Sequence, residues 1–214
     1  MTVRIKICGI TNEEDALAAA RFGADALGFI FAPSPRRISP EKALEIIKVL
    51  PPLVQTVGVF VDEDPGEVSS VAEKCGLDIL QFHGSEPADY CESFDRRVIK
   101  AIRLRNRQDL KILAKYDGVV HALLLDTYVA DKLGGTGMTF DWEWASEAGK
   151  YGRIILAGGL NPANVAAAIS IVRPYGVDAS SSLEHSPGLK DHEKIMQFIA
   201  EVRQAVSSHM EGQG

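Results

Sequence analysis

Three proton-transfer side chains each close an apolar run of this chain. Cys8 ends "VRIKIC", His83 ends "DILQFH" and Asp126 ends "ALLLD". A thiol, an imidazole or a carboxyl group can move protons to and from a substrate when burial and neighbours tune its pKa. A cysteine in such a place also packs as a small hydrophobe, and His83 is equally a candidate acid, base, ligand donor or satisfied structural histidine. Thr127 and the glycine-rich "GGTG" at 134–137 follow Asp126 before any helical run, which makes helix capping an unconvincing role. A carboxyl group at an apolar mouth would have its pKa raised by desolvation, as a general acid requires.

Two further segments have the composition of an anion cradle. "AGG" places Gly158 and Gly159 at the end of an apolar run, where bare backbone can approach a ligand. "DASSS" adds Asp178, Ser180 and Ser181 to the end of the next run. Backbone N–H groups can hold a phosphate without a cationic side chain; the plainer reading of the glycines is a tight turn. "SPRR" carries Arg36 and Arg37, which either clamp a carboxylate bidentately or stand as solvated charges.

The elements that position these residues alternate. The runs "RIKIC", "DALGFIF", "TVGVFV", "DILQFH", "VIKAIRL", "ALLLDT", "RIILAG" and "GVDASS" read as eight strands, each followed by a segment of helical periodicity. Asn12, Ser39 and Asn161 have the type and place of helix caps, Pro40 and Pro162 of first helical residues, and Gly23 and Gly76 of helix stops. Near-continuous apolar strands imply a parallel sheet buried on both faces. Eight units in 214 residues predict one α/β domain, a (β/α)8 barrel over 1–206, with a frayed tail over 207–214. The rival is an open doubly wound sheet; it would show a glycine-rich dinucleotide turn after the first strand, and "CGITNEED" is not one.

In such a barrel the active site lies at the C-terminal ends of the strands, where the candidate acid, base and anion-binding residues fall. Period-two alternation places Lys6 with Cys8, Gln81 with His83, Leu124 with Asp126, and Asp178 with Ser180 on common faces. The net charge of −6 argues against a nucleic-acid partner. No apolar run approaches 18 residues, which excludes a spanning helix. Three dispersed cysteines, Cys8, Cys75 and Cys91, exclude a disulfide framework or a CxxC metal site and fit a reduced, cytoplasmic setting. Cys75 and Cys91 fall within helical segments and read as packing residues.

Taken together, "KICGIT" (6–11), "GADALGFIFAPSPRRI" (23–38), "VGVFVDE" (57–63), "LQFHGSE" (80–86), "LLLDT", "GGTGMTFDW" (134–142), "LAGGLNPANV" (156–165) and "GVDASSSLE" (176–184) resemble the phosphoribosylanthranilate isomerases of tryptophan biosynthesis along essentially the whole chain. The resemblance implies a (β/α)8 fold and an Amadori rearrangement of a phosphorylated small molecule, without metal or organic cofactor. It implies Asp126 as general acid and Cys8 as general base. Arg36 would hold the anthranilate carboxylate, and amides around Gly158, Gly159, Ser180 and Ser181 the phosphate, with Asp178 close by. Gln81 and His83 would line the wall. Two positions depart from the family pattern: Ser182, where glycine is usual, and Met138, where lysine is common.

Lys6, two residues before Cys8, is the candidate for favouring its thiolate. One competing reading is a related sugar-phosphate isomerase; those enzymes use two aspartates at equivalent strand ends, against which Cys8 argues. Another is a catalytically silent metabolite-binding barrel, for which the presence of both Cys8 and Asp126 is unfavourable. A single compact barrel is compatible with a monomer, and contact with other enzymes of the pathway stays open.

Overall fold

The computed structural model describes residues 2–104, 106–126 and 142–211. Its strands are β1 (Arg4–Cys8), β2 (Ala26–Ile30), β3 (Gln55–Phe60), β4 (Ile79–Phe82), β5 (Arg97–Arg103), β6 (Ala122–Asp126), β7 (Ile154–Ala157) and β8 (Gly176–Ala179). Each pairs in parallel with the next, and β8 closes on β1 from Arg4↔Gly176 to Ile7↔Ala179. The eight-stranded barrel expected from the alternation is the observed fold.

Helices α1 (Glu13–Phe22), α2 (Pro40–Ile47), α3 (Pro65–Cys75), α4 (Ala88–Glu92), α5 (Leu110–Leu113), α6 (Trp142–Glu147), α7 (Val165–Val172) and α8 (His192–Glu211) cover the outside. The side chains of Asn12 and Ser39 accept the Asp15 and Lys42 N–H groups, satisfying donors that the first turns leave free. Gly23 and Gly76 end α1 and α3 in the left-handed conformation. Asn161 and Pro162 do not open α7 as expected: the helix begins at Val165 with Asn164 at the cap position, and the Asn161 side chain accepts the Ala163 N–H in the turn before it. The segment of helical periodicity after β5, "NRQDLKILAKY" (106–116), forms only a short α5 flanked by 3₁₀ turns at Arg107–Asp109 and Ala114–Tyr116. At the other end, α8 runs past residue 206, so part of the stretch expected to fray is helical. The Ser207 hydroxyl bonds back to the Arg203 carbonyl there.

Alternation along the strands divides the core in two. Ile5, Ile7, Leu80, Phe82, Leu123, Leu125 and Leu156 face outward into one continuous layer under the helices. Ile99, Ala101, Ala122, Leu124, Ile155 and Ala157 form a smaller cluster inside the barrel. Cys75 and Cys91 are buried helix residues, and Trp142 and Trp144 pack against the outer layer. β5, β6 and β7 thus make one half of the interior apolar. The other half carries Lys6, Cys8 and Asp178.

Between β8 and α8 the chain inserts a hairpin of β9 (Glu184–Ser186) and β10 (Leu189–Lys190), with Lys190 opposite Glu184. This hairpin lies on the side of the barrel where the strands end.

Candidate active site

A cavity of about 260 Å³ opens at the C-terminal ends of the strands. Cys8, Arg36, Gln81, His83, Asp126, Gly158, Gly159, Asp178, Ser180 and Ser181 all line it. A larger cavity of about 510 Å³ opens at the opposite end among Arg4, Gln55, Arg97, His121 and Tyr175. Cys8 and Asp126 share the smaller one, which makes it the candidate active site.

Cys8 is placed by two glycines. Gly9 turns the chain with φ +78°, and its N–H and that of Ile10 both donate to the Gly28 carbonyl. A Cβ on Gly9 would stand 2.7 Å from Arg36 Cδ, so the missing side chain makes room for the arginine stem. On the neighbouring strand, a Cβ on Gly28 would lie 2.7 Å from Cys8 Sγ and 3.1 Å from Lys6 Nζ. The thiol and the ammonium therefore fold together over bare backbone. A glycine inside a strand is a recognisable sign of such an approach, and Gly28 is a functional position that the reading of strand ends misses.

Lys6 does meet Cys8, but its ammonium also bonds Asp178 at 2.8 Å in a buried pair at the cavity wall. Burial pushes the Cys8 thiol pKa up; Lys6 and Lys190 pull it down, Asp178 pushes it further up, and the net direction is upward. Burial alone would lower the Lys6 pKa, and the charges of Asp178 and Cys8 outweigh it. Both directions favour the thiol form of Cys8 and the charged form of Lys6, with Lys6 the neighbour that stabilises a thiolate when one forms.

Across the cavity, Asp126 sits in a different setting from the apolar mouth expected. His83 Nε2 lies 3.4 Å and Arg103 Nη2 3.7 Å from its Oδ2. Gln81 Nε2 lies 3.1 Å from His83 Nδ1. With the Gln81 amide as donor, the neutral imidazole carries its proton on Nε2, facing Asp126. Arg103 is missing from the sequence reading; it pairs in register with Asp126 and is the last residue of β5, which is the signal that could have found it. Gln81 Oε1 is buried and has no hydrogen-bond partner among the described residues, a donor-seeking atom on the cavity wall.

The candidate anion cradle is built largely from backbone. Gly158 and Gly159 adopt φ +84° and +70°, and the Gly159 carbonyl is held by the side-chain amides of Asn161 and Asn164. The Ser180 hydroxyl donates to the Cys8 carbonyl at 3.0 Å, tying the cradle to the thiol strand. Ser182 stands within the 3₁₀ turn Ser181–Leu183 and donates to the Leu160 carbonyl. Among the described residues the left-handed non-glycines are Asp62 and Arg173, so serine in place of the usual glycine brings no backbone strain. Thr127, the "GGTG" loop and Met138 lie outside the described residues.

Of the two adjacent arginines, Arg36 enters the cavity and Arg37 lines a separate cleft beside Ile38 and Pro40. Arg36 is gripped by Glu184, with Nε at 2.8 and 3.0 Å from its two oxygens and Nη2 at 2.7 Å. Among the described residues, no group of three His, Cys, Asp or Glu side chains is disposed to hold a metal, and no helix is long and apolar enough to cross a membrane.

The family model described as N-(5'phosphoribosyl)anthranilate (PRA) isomerase matches residues 5–201. A relative named N-(5'-phosphoribosyl)anthranilate isomerase from Geobacter sp. (strain M21) is 53% identical over 201 residues, covering 94% of this chain and 98% of its own. The crystal structure of phosphoribosyl anthranilate isomerase from Thermotoga maritima superposes with a TM-score of 0.88 at 45% identity, over 95% of this chain and all of that one. A second solved isomerase holds reduced 1-(o-carboxyphenylamino)-1-deoxyribulose 5-phosphate. It is 42% identical, covers 95% of this chain and all of its own, and has a TM-score of 0.85.

Proposed function

The chain belongs to the N-(5'-phosphoribosyl)anthranilate isomerase family, and from that premise we propose how its residues divide the work of the reaction. The activity is the isomerisation of N-(5-phosphoribosyl)anthranilate to 1-(2-carboxyphenylamino)-1-deoxyribulose 5-phosphate in tryptophan biosynthesis.

Asp126, in its protonated form, donates to the ribose ring oxygen as the bond from that oxygen to C1 breaks. The nitrogen lone pair then forms a protonated Schiff base at C1. The cationic nitrogen acidifies C2–H, and Cys8 as thiolate removes that proton to give an enolamine. The Asp126 carboxylate then takes the C2 hydroxyl proton while C1 takes the proton held by Cys8, which completes the ketone and returns both groups to their starting forms. His83, with Nε2 toward Asp126, orients the carboxyl group for that transfer. Lys6 stabilises the thiolate as it forms.

Arg36 binds the anthranilate carboxylate. Amides around Gly158, Gly159, Ser180 and Ser181 bind the phosphate, with Asp178 beside them. Gln81 Oε1 accepts a substrate N–H or O–H. The observation that carries this reading is that Cys8, Asp126, Arg36 and the glycine–serine cradle line one cavity. All the residues assigned belong to one barrel, so catalysis needs no second copy. A base thiol among three free cysteines suits a reducing cytoplasm. The test is to mix the protein with phosphoribosylanthranilate and follow the loss of its anthranilate fluorescence; a substrate signal that does not decay faster than in buffer refutes the assignment.

A further inference from the structure

The hairpin after β8 reaches back into the site. The Glu184 side chain, 4% exposed, takes Lys190 Nζ at 2.8 Å on the oxygen that Arg36 Nε also approaches. Lys190 Nζ also donates to the Ser180 carbonyl at 3.2 Å. The Lys190 backbone N–H donates to Asp15 at 2.9 Å, and the other Asp15 oxygen meets His192 at 2.7 Å. The starts of α1 and α8 therefore fix the hairpin strand that carries Lys190, and Lys190 in turn holds Glu184 against Arg36.

A guanidinium held by a carboxylate is a neutral pair. A second carboxylate arriving at Arg36 would meet the Glu184 charge behind it, and the low-dielectric surroundings amplify that repulsion. Lys190, with no exposed side-chain surface, adds a buried cation on the far side of Glu184 and leaves the trio with one net positive charge. Geometry agrees. Glu184 occupies the Nε and Nη2 edge of Arg36, which leaves the Nη1 and Nη2 end for a second bidentate partner.

We propose that Glu184 and Lys190 are positioning residues for aryl-carboxylate recognition: Glu184 fixes the angle of Arg36, and Lys190 restores the charge that Glu184 cancels. This rests on the reading of Arg36 as the carboxylate ligand. Glu184 is ionised in this role. Burial alone would raise its pKa, and the hydrogen bonds from Arg36 and Lys190 more than reverse that, leaving it below the ordinary value.

The experiment measures KM for phosphoribosylanthranilate and for its aniline analogue, which lacks the carboxylate. It compares the parent with Arg36→Met, Glu184→Ala and Lys190→Met. The readout is the ratio of the two KM values, because Lys190 also acts on the Cys8 thiol and so moves kcat for both substrates. Lys190→Met and Glu184→Ala are expected to raise the ratio by about tenfold, and Arg36→Met by more. Lys190→Gln, which drops the charge and keeps a donor, replaces the methionine variant if that does not fold. A ratio within twofold of the parent in the Lys190 variants, with Arg36→Met still discriminating, overturns the proposal. A ratio unchanged in Arg36→Met itself overturns the carboxylate reading beneath it.

Discussion

Lys6 and Asp178 are register partners on β1 and β8, and their charged ends meet at 2.8 Å inside the barrel, with Cys8 the next inward residue above Lys6. Burial makes the thiol harder to ionise, and the pair modulates that effect. Lys6 favours the thiolate, and Asp178 both opposes it directly and draws on the lysine's charge. A substrate that competes for Asp178 would release Lys6 toward the thiol.

Opposite shifts are expected when the two partners are removed separately. The pH midpoint of Cys8 alkylation by iodoacetamide should rise in Lys6→Met, because a cation beside the thiolate is lost. It should fall in Asp178→Asn, because an anion is lost and the lysine is freed. Mass spectrometry of the Cys8 peptide, followed against pH, checks both directions; unchanged midpoints would remove the pair from the account.

Gly28→Ala should harm activity more than folding. The added Cβ falls 2.7 Å from Cys8 Sγ and 3.1 Å from Lys6 Nζ, at the ends of side chains that can swing away only by leaving their working positions. Overpacking of this kind costs about 1–3 kcal/mol of stability. A drop in kcat of about tenfold or more is expected in a variant that still unfolds cooperatively, measured by steady-state kinetics beside urea unfolding.

A second enclosed ion pair supports the wall that carries His83. Lys100 Nζ meets Glu86 at 2.9 Å and the Gly84 carbonyl at 2.7 Å, and Glu86 accepts the Asp62 and Gly84 N–H groups. Removing one partner strands a buried charge, at a cost of about 3–5 kcal/mol. Lys100→Met should therefore lower the melting temperature by roughly 6–20 °C for a domain of this size. The double variant Lys100→Met/Glu86→Gln should recover part of that loss. Calorimetry of the two variants decides it.

The eight strands are legible in the sequence because each is an apolar run bounded by polar turns, and the barrel rule then places Cys8, Asp126 and the glycine–serine cradle at one rim. What the sequence does not disclose is the set of contacts made by closure. Arg36 and Glu184 lie 148 residues apart, and Lys6 and Asp178 lie 172 apart; no local period links them. Lys100 reads as an interruption in the apolar run "VIKAI", since its partner Glu86 belongs to the loop after the preceding strand. The break in the helix after β5 is likewise hidden, because "NRQDLKILAKY" has helical composition throughout. Asp126 is the instructive case: the sequence shows its apolar neighbours along the strand but not Arg103 from the adjacent β5 or His83 from the end of β4 beyond it.

The central claim is that one carboxyl group gives a proton to oxygen and one thiol takes a proton from carbon. Initial rates of fluorescence loss with saturating phosphoribosylanthranilate, for the parent, Cys8→Ala and Asp126→Asn, test it most directly. General acid and base groups each contribute about 10²–10⁴-fold, so each variant should lose kcat by a factor in that range while KM changes only a few-fold. A kcat equal to the parent's in either variant would contradict the account.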